Sequence, residues 1–147
     1  MMPAMMAGTM TGTIPGTMTK RRAGGGTAAR RRAWRAGRWA ESLASLRLRV
    51  TGYRILARNW RSPVGEIDII ARRGDFLVII EVKNRLAQEA ALYAVSPRQQ
   101  LRLARAALAF QAHRADCRGL SLRFDVMTVG PGFWPTHLKE AWRPAAE

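Results

Sequence analysis

The stretch Gly65–Lys83, GEIDIIARRGDFLVIIEVK, organises the rest of this chain. Apolar and charged residues alternate at its start, and a glycine-containing turn divides it into two apolar runs. Two apolar runs around such a turn predict a β-hairpin. Three charged residues, Asp68, Glu81 and Lys83, nevertheless stand inside runs that otherwise look like buried strand. Charged side chains are rarely buried unless they are paired, so these three are candidates for a functional site.

The register of this hairpin decides which charges meet. Side chains alternate between the two faces of a strand, so charges two residues apart share a face. If the loop is Gly74–Asp75, Asp68 lies opposite Glu81. If the loop is Arg73–Gly74, the pairing slips by two and Glu66 lies opposite Glu81 instead. Both loops bring acids together on one face, whereas a three-residue loop would shift the pairing by one and separate them.

Two carboxylates that face each other across a hairpin repel unless a cation bridges them. Carboxylate oxygens suit Mg²⁺ or Mn²⁺. Lys83 shares the face of Glu81, and it is the only lysine between Lys20 and Lys139. A divalent ion neutralises a scissile phosphate and lowers the pKa of bound water, while a lysine can position that water. The set is therefore suited to phosphodiester hydrolysis, with Mg²⁺ or Mn²⁺ as its cofactor.

The charge of the chain favours a polyanionic partner. Its 147 residues allow one domain with a real core, and they carry a formal net charge of +15. Such an excess points most often to nucleic acid, although an arginine-rich composition would produce part of it without any binding role. The single cysteine, Cys117, cannot form an internal disulfide, which favours a cytoplasmic location. No run reaches the ~18 apolar residues of a membrane helix, so no membrane partner is expected.

Residues 1–33 predict a disordered basic leader, because they are rich in Gly, Thr and Met and show no apolar period. Six of the seven methionines fall at or before Met18, which a start codon assigned too far upstream would explain. The other interpretation is a basic arm that contacts nucleic acid. Residues 34–147 predict a single domain, whose oligomeric state the sequence leaves open.

Apolar spacing predicts a first helix from Trp34 to Val50, with Gly52 just beyond its end. Glu41 is the only acid in this helix, and it lies on a different face from the arginines. Two interpretations of Glu41 remain open: an ordinary solvated glutamate, or a further carboxylate directed at the hairpin site. The apolar stripe of the helix consists of Trp39, Leu43, Leu46 and Val50.

Further strands are predicted on both sides of the hairpin. Tyr53–Arg61 is rich in β-branched and aromatic residues, and the hairpin strands span about 65–72 and 76–83. Residues 120–129 form a last strand that is apolar on both faces, and Asp125 within it is interpreted as a structural partner of an arginine. The tail contains apolar side chains that are expected to dock on the core: Trp134, Leu138 and Trp142.

A second helix is predicted from Ser96 to about His113. Ser96 is a suitable N-cap, Pro97 suits the first turn, and Gln99 completes a capping box. The order helix, three strands, helix, strand predicts an α/β protein with a mixed sheet flanked by helices. The expected buried face of this helix consists of Leu101, Ala104 and Leu108, with Leu103, Ala107 and Phe110 alongside.

Five arginines are candidates for contacts with nucleic-acid phosphates. Arg58 and Arg61 lie on the first strand, while Arg98, Arg102 and Arg105 recur at i, i+4 and i+7 on the second helix. A basic stripe without acidic partners nearby on the helix favours phosphate contact, although such arginines also form ordinary solvated faces.

Asp68 followed by Glu81-x-Lys83 on a hairpin after a helix resembles the PD-(D/E)xK nuclease superfamily. The flanking segments are more specific, and together they resemble the YraN-like family of small bacterial proteins, which is assigned to that nuclease-like fold. The resemblance covers about residues 36–143. It is carried by GYRILARNWR, GEIDIIARRGD, IIEVKNR, AVSPRQQ and LRFDVMTV.

The resemblance implies a restriction-endonuclease-like αβββαβ core. It also implies that Asp68 and Glu81 are metal-binding acids and that Lys83 is the superfamily's lysine. Glu41 matches an acid that many members place on the first helix. Glu66 belongs to the family's GEID motif and is an acid beside the ligands, without an established role.

Two functions follow from these patterns. The first is a metal-dependent endonuclease acting on nucleic acid, with DNA favoured over RNA, and the second is a module that binds nucleic acid on the same fold without cutting it. The presence of Asp68, Glu81 and Lys83 favours the first. Gln99 stands where the typical family pattern has a lysine, which would weaken a phosphate contact there. A basic protein of the membrane surface or ribosome would leave the acids unexplained.

Overall fold

The computed structural model describes residues 25–84, 94–130, 132 and 134–144. Within these residues a long helix precedes three strands, and a second helix leads into two further strands. A short 3-10 helix, Ala115–Cys117, follows the second helix. The helices and strands are α1 Gly25–Val50, β1 Arg54–Ser62, β2 Gly65–Arg73, β3 Phe76–Asn84, α2 Pro97–His113, β4 Ser121–Val129 and β5 Thr136–Trp142.

The five strands form one mixed sheet in the order β1-β2-β3-β4-β5. The first three strands are antiparallel neighbours, β3 and β4 are parallel, and β5 is antiparallel to β4. A parallel pair needs a crossover connection, and α2 lies in the connection from β3 to β4. The predicted α/β class and αβββαβ order are therefore confirmed, and they are consistent with a restriction-endonuclease-like core. The strand β5 was not predicted.

The hairpin has the register that a Gly74–Asp75 loop requires. Arg73 pairs with Phe76 and Ile70 pairs with Ile79. Gly74 has a φ of +58°, the sign that the first central position of a type II′ turn needs and that glycine adopts without strain. Of the alternatives left open by the sequence, the structure selects the one that places Asp68 and Glu81 at opposite positions.

The helices cover opposite faces of the sheet through small residues. On one face Ala40, Ala44 and Leu48 of α1 are buried with sheet residues such as Ile80. On the other face α2 buries its own set, and its backbone comes so close to Gly65 that an added Cβ would lie 3.2 Å from the Arg102 carbonyl oxygen. This approach brings the first half of α2 over the start of β2. The buried residues of α2 are Leu103, Ala106, Ala107 and Phe110.

Both predicted helix faces are therefore partly wrong. In α1 Trp39, Leu46 and Val50 are exposed, and in α2 Leu101 and Leu108 are exposed. A helix that packs closely on a sheet favours alanine at the contact, so the spacing of the largest apolar residues did not mark the buried side. The same geometry places Glu41 on the sheet-facing side of α1, next to Ala40 and Ala44.

The first helix begins at Gly25, nine residues before the predicted start at Trp34. Residues 25–33, which were assigned to the disordered leader, are thus helical, because alanine and arginine are strong helix formers. Residues 1–24 lie outside the described residues, as does most of the loop predicted from Asn84 to Val95. Neither helix in the described part of the chain is long and apolar enough to cross a membrane.

The tail forms β5, whereas the sequence predicted only that its apolar side chains dock on the core. Trp142 is buried as predicted, but Trp134 and Leu138 are exposed. Buried Asp125 holds this edge together, because it accepts hydrogen bonds from the Arg123 guanidinium and from the Glu140 backbone N–H at 3.0 Å. The predicted structural role of Asp125 is confirmed. His137, whose Nε2 lies 2.7 Å from Asp125 Oδ2, shares that role.

Candidate metal centre

The ladder between β2 and β3 ends one step before Asp68 and Glu81. Its last pair is Ile69 with Ile80, and beyond it the backbone N–H of Val82 donates to Asp68 Oδ2 at 2.8 Å. A carboxylate therefore takes the place of a main-chain acceptor where the strands separate. This hydrogen bond holds Asp68 at the opening, opposite Glu81.

Glu81 is held by two neighbours from different elements. Gln99 of α2 donates from Nε2 to Glu81 Oε1 at 2.6 Å, and Lys83 Nζ lies 3.9 Å from the same oxygen. The side chains of Lys83 and Glu81 are only 23% and 16% exposed. The Lys83 ammonium thus lies beside Glu81, as strand parity predicted, and it is partly desolvated.

Burial disturbs the ionisation of both acids, and repulsion by Glu81 adds to its effect on Asp68. Burial raises the pKa of Asp68 to about 7, the charge of Glu81 adds to the shift, and the Val82 N–H opposes it. Burial also raises the pKa of Glu81, against the opposing effects of Lys83 and of the Gln99 hydrogen bond. The acidic pair, meaning Asp68 and Glu81, is therefore short of positive charge in spite of these partners. A cation would relieve that deficit.

A cavity of 560 Å³, called here the metal-centre cavity, opens over the acidic pair. Mg²⁺ is usually held by one or two carboxylates together with water and substrate phosphates, so two carboxylates beside an open cavity fit this ion or Mn²⁺. Among the described residues no three His, Cys, Asp or Glu side chains gather into a complete metal-binding group. The lining of the cavity consists of Glu66, Asp68, Glu81, Ser96, Arg98, Gln99, Arg102 and Leu103.

The two remaining candidate acids lie beside the acidic pair and make other contacts. Glu66 lines the metal-centre cavity but forms an exposed ion pair with Arg61, with 3.3 Å between Nε and Oε1. Glu41 accepts a hydrogen bond from Asn59 Nδ2 at 2.7 Å. Both still raise the pKa of Asp68 through their negative charge. Both acids therefore add to the negative potential of the site. Their own contacts, however, are with Arg61 and Asn59, not with Asp68 or Glu81.

The five candidate arginines are divided by the structure. Arg98 and Arg102 line the metal-centre cavity, and Arg61 and Arg102 line an adjoining cavity of 460 Å³. Arg58 instead donates to Ser42 Oγ at 3.1 Å, and Arg105 is exposed further along α2. Arg98 and Arg102 thus border the metal-centre cavity, and Arg61 borders only the adjoining one of the two. Arg58 and Arg105 line neither cavity.

Gln99 is the site residue whose contact the sequence analysis missed. The predicted N-cap is confirmed, because Ser96 Oγ accepts from the Gln99 backbone N–H at 3.3 Å. A full capping box would return the Gln99 side chain to the Ser96 N–H, but the amide reaches Glu81 instead. The sequence feature that could have revealed this contact is the position of Gln99 in the first turn of the helix that crosses over the site.

Comparison with known proteins shows the family of this chain. Residues 40–129 match the model of a family described as "Uncharacterised protein family UPF0102". The chain belongs to the UPF0102 family. The matched segment contains Glu41, both acids of the pair, Lys83 and Gln99, so it spans the whole candidate centre.

Relatives in the UPF0102 family align over most of their length. The UPF0102 protein of Maricaulis maris is 48% identical over 118 residues, which cover 80% of this chain and 93% of the relative. Those of Parvibaculum lavamentivorans and Caulobacter vibrioides are each 49% identical, over 76% and 80% of this chain and 84% and 90% of their own. The family resemblance carried by the sequence motifs is thereby confirmed.

Proposed function

We propose that this UPF0102 protein is a divalent-metal-dependent endonuclease that hydrolyses phosphodiester bonds in nucleic acid, DNA in preference to RNA. One observation carries the proposal: two carboxylates with raised pKa values face each other, beside a half-buried lysine, in an arginine-bordered cavity. Ion-pair networks that serve only structure normally neutralise their acids. An uncompensated acidic pair in a cavity is typical of a metal or catalytic site.

Asp68 and Glu81 would hold Mg²⁺ or Mn²⁺. Such an ion, when bound, neutralises the scissile phosphate and lowers the pKa of its water. The Val82 N–H and the Gln99 amide orient the two carboxylates, which keeps their oxygens directed into the opening. The Lys83 ammonium would orient the attacking water or stabilise charge on the phosphorane.

The rim of the cavity supports nucleic acid as the substrate. Arg98 and Arg102 present guanidinium groups on the α2 side, and guanidinium binds phosphate in a bidentate geometry. Phosphate contacts of this kind position a strand without reading its sequence. The +15 charge of the chain adds a long-range attraction for a polyanion. The two arginines would therefore hold phosphates beside the bond that is cut.

A second candidate function is a module that binds nucleic acid without cutting it. It is favoured by the engagement of Glu81 with Gln99 and Lys83, and by the absence of a three-acid group among the described residues. Such a module would keep the arginine rim and would lose little when the acids are replaced. The two candidates thus differ in what the acidic pair contributes.

A cleavage assay with matched variants separates the two. The protein is incubated with branched, flapped, single-stranded and duplex substrates in Mg²⁺, Mn²⁺ or EDTA, beside Asp68→Ala and Lys83→Ala. Asp116→Ala is the control, because that exposed acid pairs with Arg114 and does not line the metal-centre cavity. If the protein is an endonuclease, the wild type should cleave in a metal-dependent way. Asp116→Ala should keep this activity, whereas Asp68→Ala and Lys83→Ala should lose it. Steeply salt-dependent binding without cleavage would favour the module.

A further inference from the structure

A third cavity, called here the Trp34 cavity, adjoins the metal-centre cavity and has no role in the proposed hydrolysis. Its volume is 300 Å³, at the lower end of the range of about 300–1,000 Å³ for small-molecule pockets. Glu66 lines both cavities, so a strand held at the acidic pair passes close to this one. The Trp34 cavity is lined by Trp34, Gly37, Arg38, Glu41, Asn59, Arg61 and Glu66.

One wall of the Trp34 cavity is a freely accessible aromatic ring. Trp34 is 61% exposed, and the Arg38 guanidinium carbon lies 4.8 Å from the centroid of its ring. Exposed aromatic rings combined with guanidinium groups are the platforms on which proteins stack single-stranded bases. Trp34 contributes little to the core at this exposure, so the part of its ring that Arg38 does not cover is accessible to a ligand.

Gly37 keeps the space beside this ring open. A Cβ added at Gly37 would meet no atom within 4 Å, so no close packing requires glycine there. Glycine weakens a helix interior relative to alanine, and this position lies well inside α1. The missing side chain therefore leaves open space in the wall of the cavity beside the stacked Trp34 and Arg38 side chains.

The charges of the Trp34 cavity favour a neutral group over a phosphate. Arg38 and Arg61 are balanced by Glu41 and Glu66, so the cavity offers an entering phosphate no net positive charge. A nucleobase carries no charge, and its exocyclic amino groups can donate to carboxylate oxygens such as those of Glu41. Aromatic stacking and acidic acceptors together match the faces and edges of a base.

We propose that the Trp34 cavity receives an unpaired nucleobase stacked on Trp34. The proposal rests on the proposed function and narrows it: the substrate class is nucleic acid with a single-stranded segment beside the scissile phosphate. Bases inside a duplex are stacked and paired, so they cannot enter without being flipped out. The preference for single strands over duplexes would then come from stacking on Trp34, whereas the arginine rim would bind the phosphate backbone of either.

The test measures binding in EDTA, so that it does not depend on cleavage. Fluorescence anisotropy compares a labelled single strand of about 16 nucleotides, its duplex, and an abasic strand of equal length. Trp34→Ala is expected to weaken binding of the normal single strand by about 5- to 150-fold and to leave the duplex and the abasic strand unchanged. Trp39→Ala is the matched control, because Trp39 is 49% exposed on the same helix and does not line the cavity.

Gly37→Ala provides an independent second variant. It strengthens the helix and fills the gap beside Trp34, so single-strand binding should weaken while the thermal midpoint stays equal or rises. Three results would overturn this proposal alone. The first is an equal loss of affinity for duplex or abasic strands, and the second is an effect of Trp39→Ala as large as that of Trp34→Ala. The third is unchanged single-strand affinity in both Trp34→Ala and Gly37→Ala. Failure of the wild-type chain to bind any nucleic acid would overturn the proposed function as well.

Discussion

Two acidic sites in the same sheet, Asp125 with its partners and the acidic pair, differ in how far the fold compensates their charge. Asp125 on β4 is fully buried, yet His137, Arg123 and the Glu140 N–H outweigh the effect of burial and lower its pKa. Asp68 on β2 is less buried, but it faces another carboxylate and its pKa is raised to about 7.

The difference teaches how to recognise a candidate site in one sheet. The Asp125 group is complete, because every charge has a partner within the fold, so it needs nothing from outside. The acidic pair is incomplete, because Lys83 and Gln99 both contact Glu81, whereas Glu81, Glu41 and Glu66 all act on Asp68 with negative charge. Burial alone does not mark function; a buried acid that the fold leaves without enough positive charge does.

The largest expected effect separates the two groups by activity. Asp68→Asn should lower metal-dependent cleavage by on the order of 10³-fold, because a lost ligand removes several kcal/mol of transition-state stabilisation. Its stability should stay equal or rise, since a repelled carboxylate is gone. Single-turnover cleavage and urea unfolding on the same preparation provide both readings, with Asp116→Asn as the control. Full activity in Asp68→Asn would remove the acidic pair from the mechanism.

The converse effect is expected at Asp125. Asp125→Ala leaves the Arg123 guanidinium, which is 12% exposed, without its carboxylate, so the free energy of unfolding should fall by about 3–5 kcal/mol. Urea denaturation measures this change, and the exposed pair of Arg114 and Asp116 provides the comparison, because Asp116→Ala should cost at most about 1 kcal/mol. A loss at Asp125 no larger than the loss at Asp116 would contradict the contrast drawn here.

The two groups should also differ in pH dependence. Folded Asp68 keeps its proton up to about pH 7, whereas the unfolded chain releases it near the ordinary value of 3.8. The folded state therefore binds more protons between these values, and unfolding free energy should fall by on the order of 1–4 kcal/mol as the pH rises through that window in EDTA. Urea unfolding at pH 5 and pH 8 measures the loss.

Two comparisons sharpen that result. Mg²⁺ at pH 8 should restore stability by mass action, and Asp68→Asn should flatten the slope. Glu81, Glu41 and Glu66 all raise the pKa of Asp68, so no acid near it opposes the predicted sign. A stability that rises between pH 5 and pH 8 would show that the acidic pair is compensated in solution.

The smallest expected effect concerns Gln99. Gln99→Ala removes the 2.6 Å hydrogen bond that orients Glu81, and partners of this kind typically change metal affinity by about 10- to 100-fold. Calorimetric titration with Mn²⁺ measures the change. Gln100→Ala is the matched control, because the neighbouring amide bonds the Val95 carbonyl instead. Equal Mn²⁺ affinities in the two variants would make Gln99 a helix-start residue only.

Sequence reasoning succeeded where local rules act and failed where distant segments meet. The hairpin and its turn follow from alternation and from Gly74, so the opposition of Asp68 and Glu81 was predictable once the loop was known. The packing faces of the helices were not predictable, because small residues such as Ala40 and Ala106 are buried where the sequence predicted larger apolar residues. The strand β5 was also not predicted, since it is held in place by tertiary contacts with Asp125.

The sequence by itself determined the α/β order, the hairpin and the identity of the acidic pair, because these depend on periodicity, turn chemistry and residue type over short spans. Only the tertiary structure decided which acids are satisfied. Val82 and Gln99 reach the pair from separate segments, and α1 brings Trp34 and Glu41 to the cavity next to it. Near neighbours such as Arg123 supply part of the charge compensation, but the rest depends on residues distant in sequence, such as His137 near Asp125, so it appears only when the chain has folded.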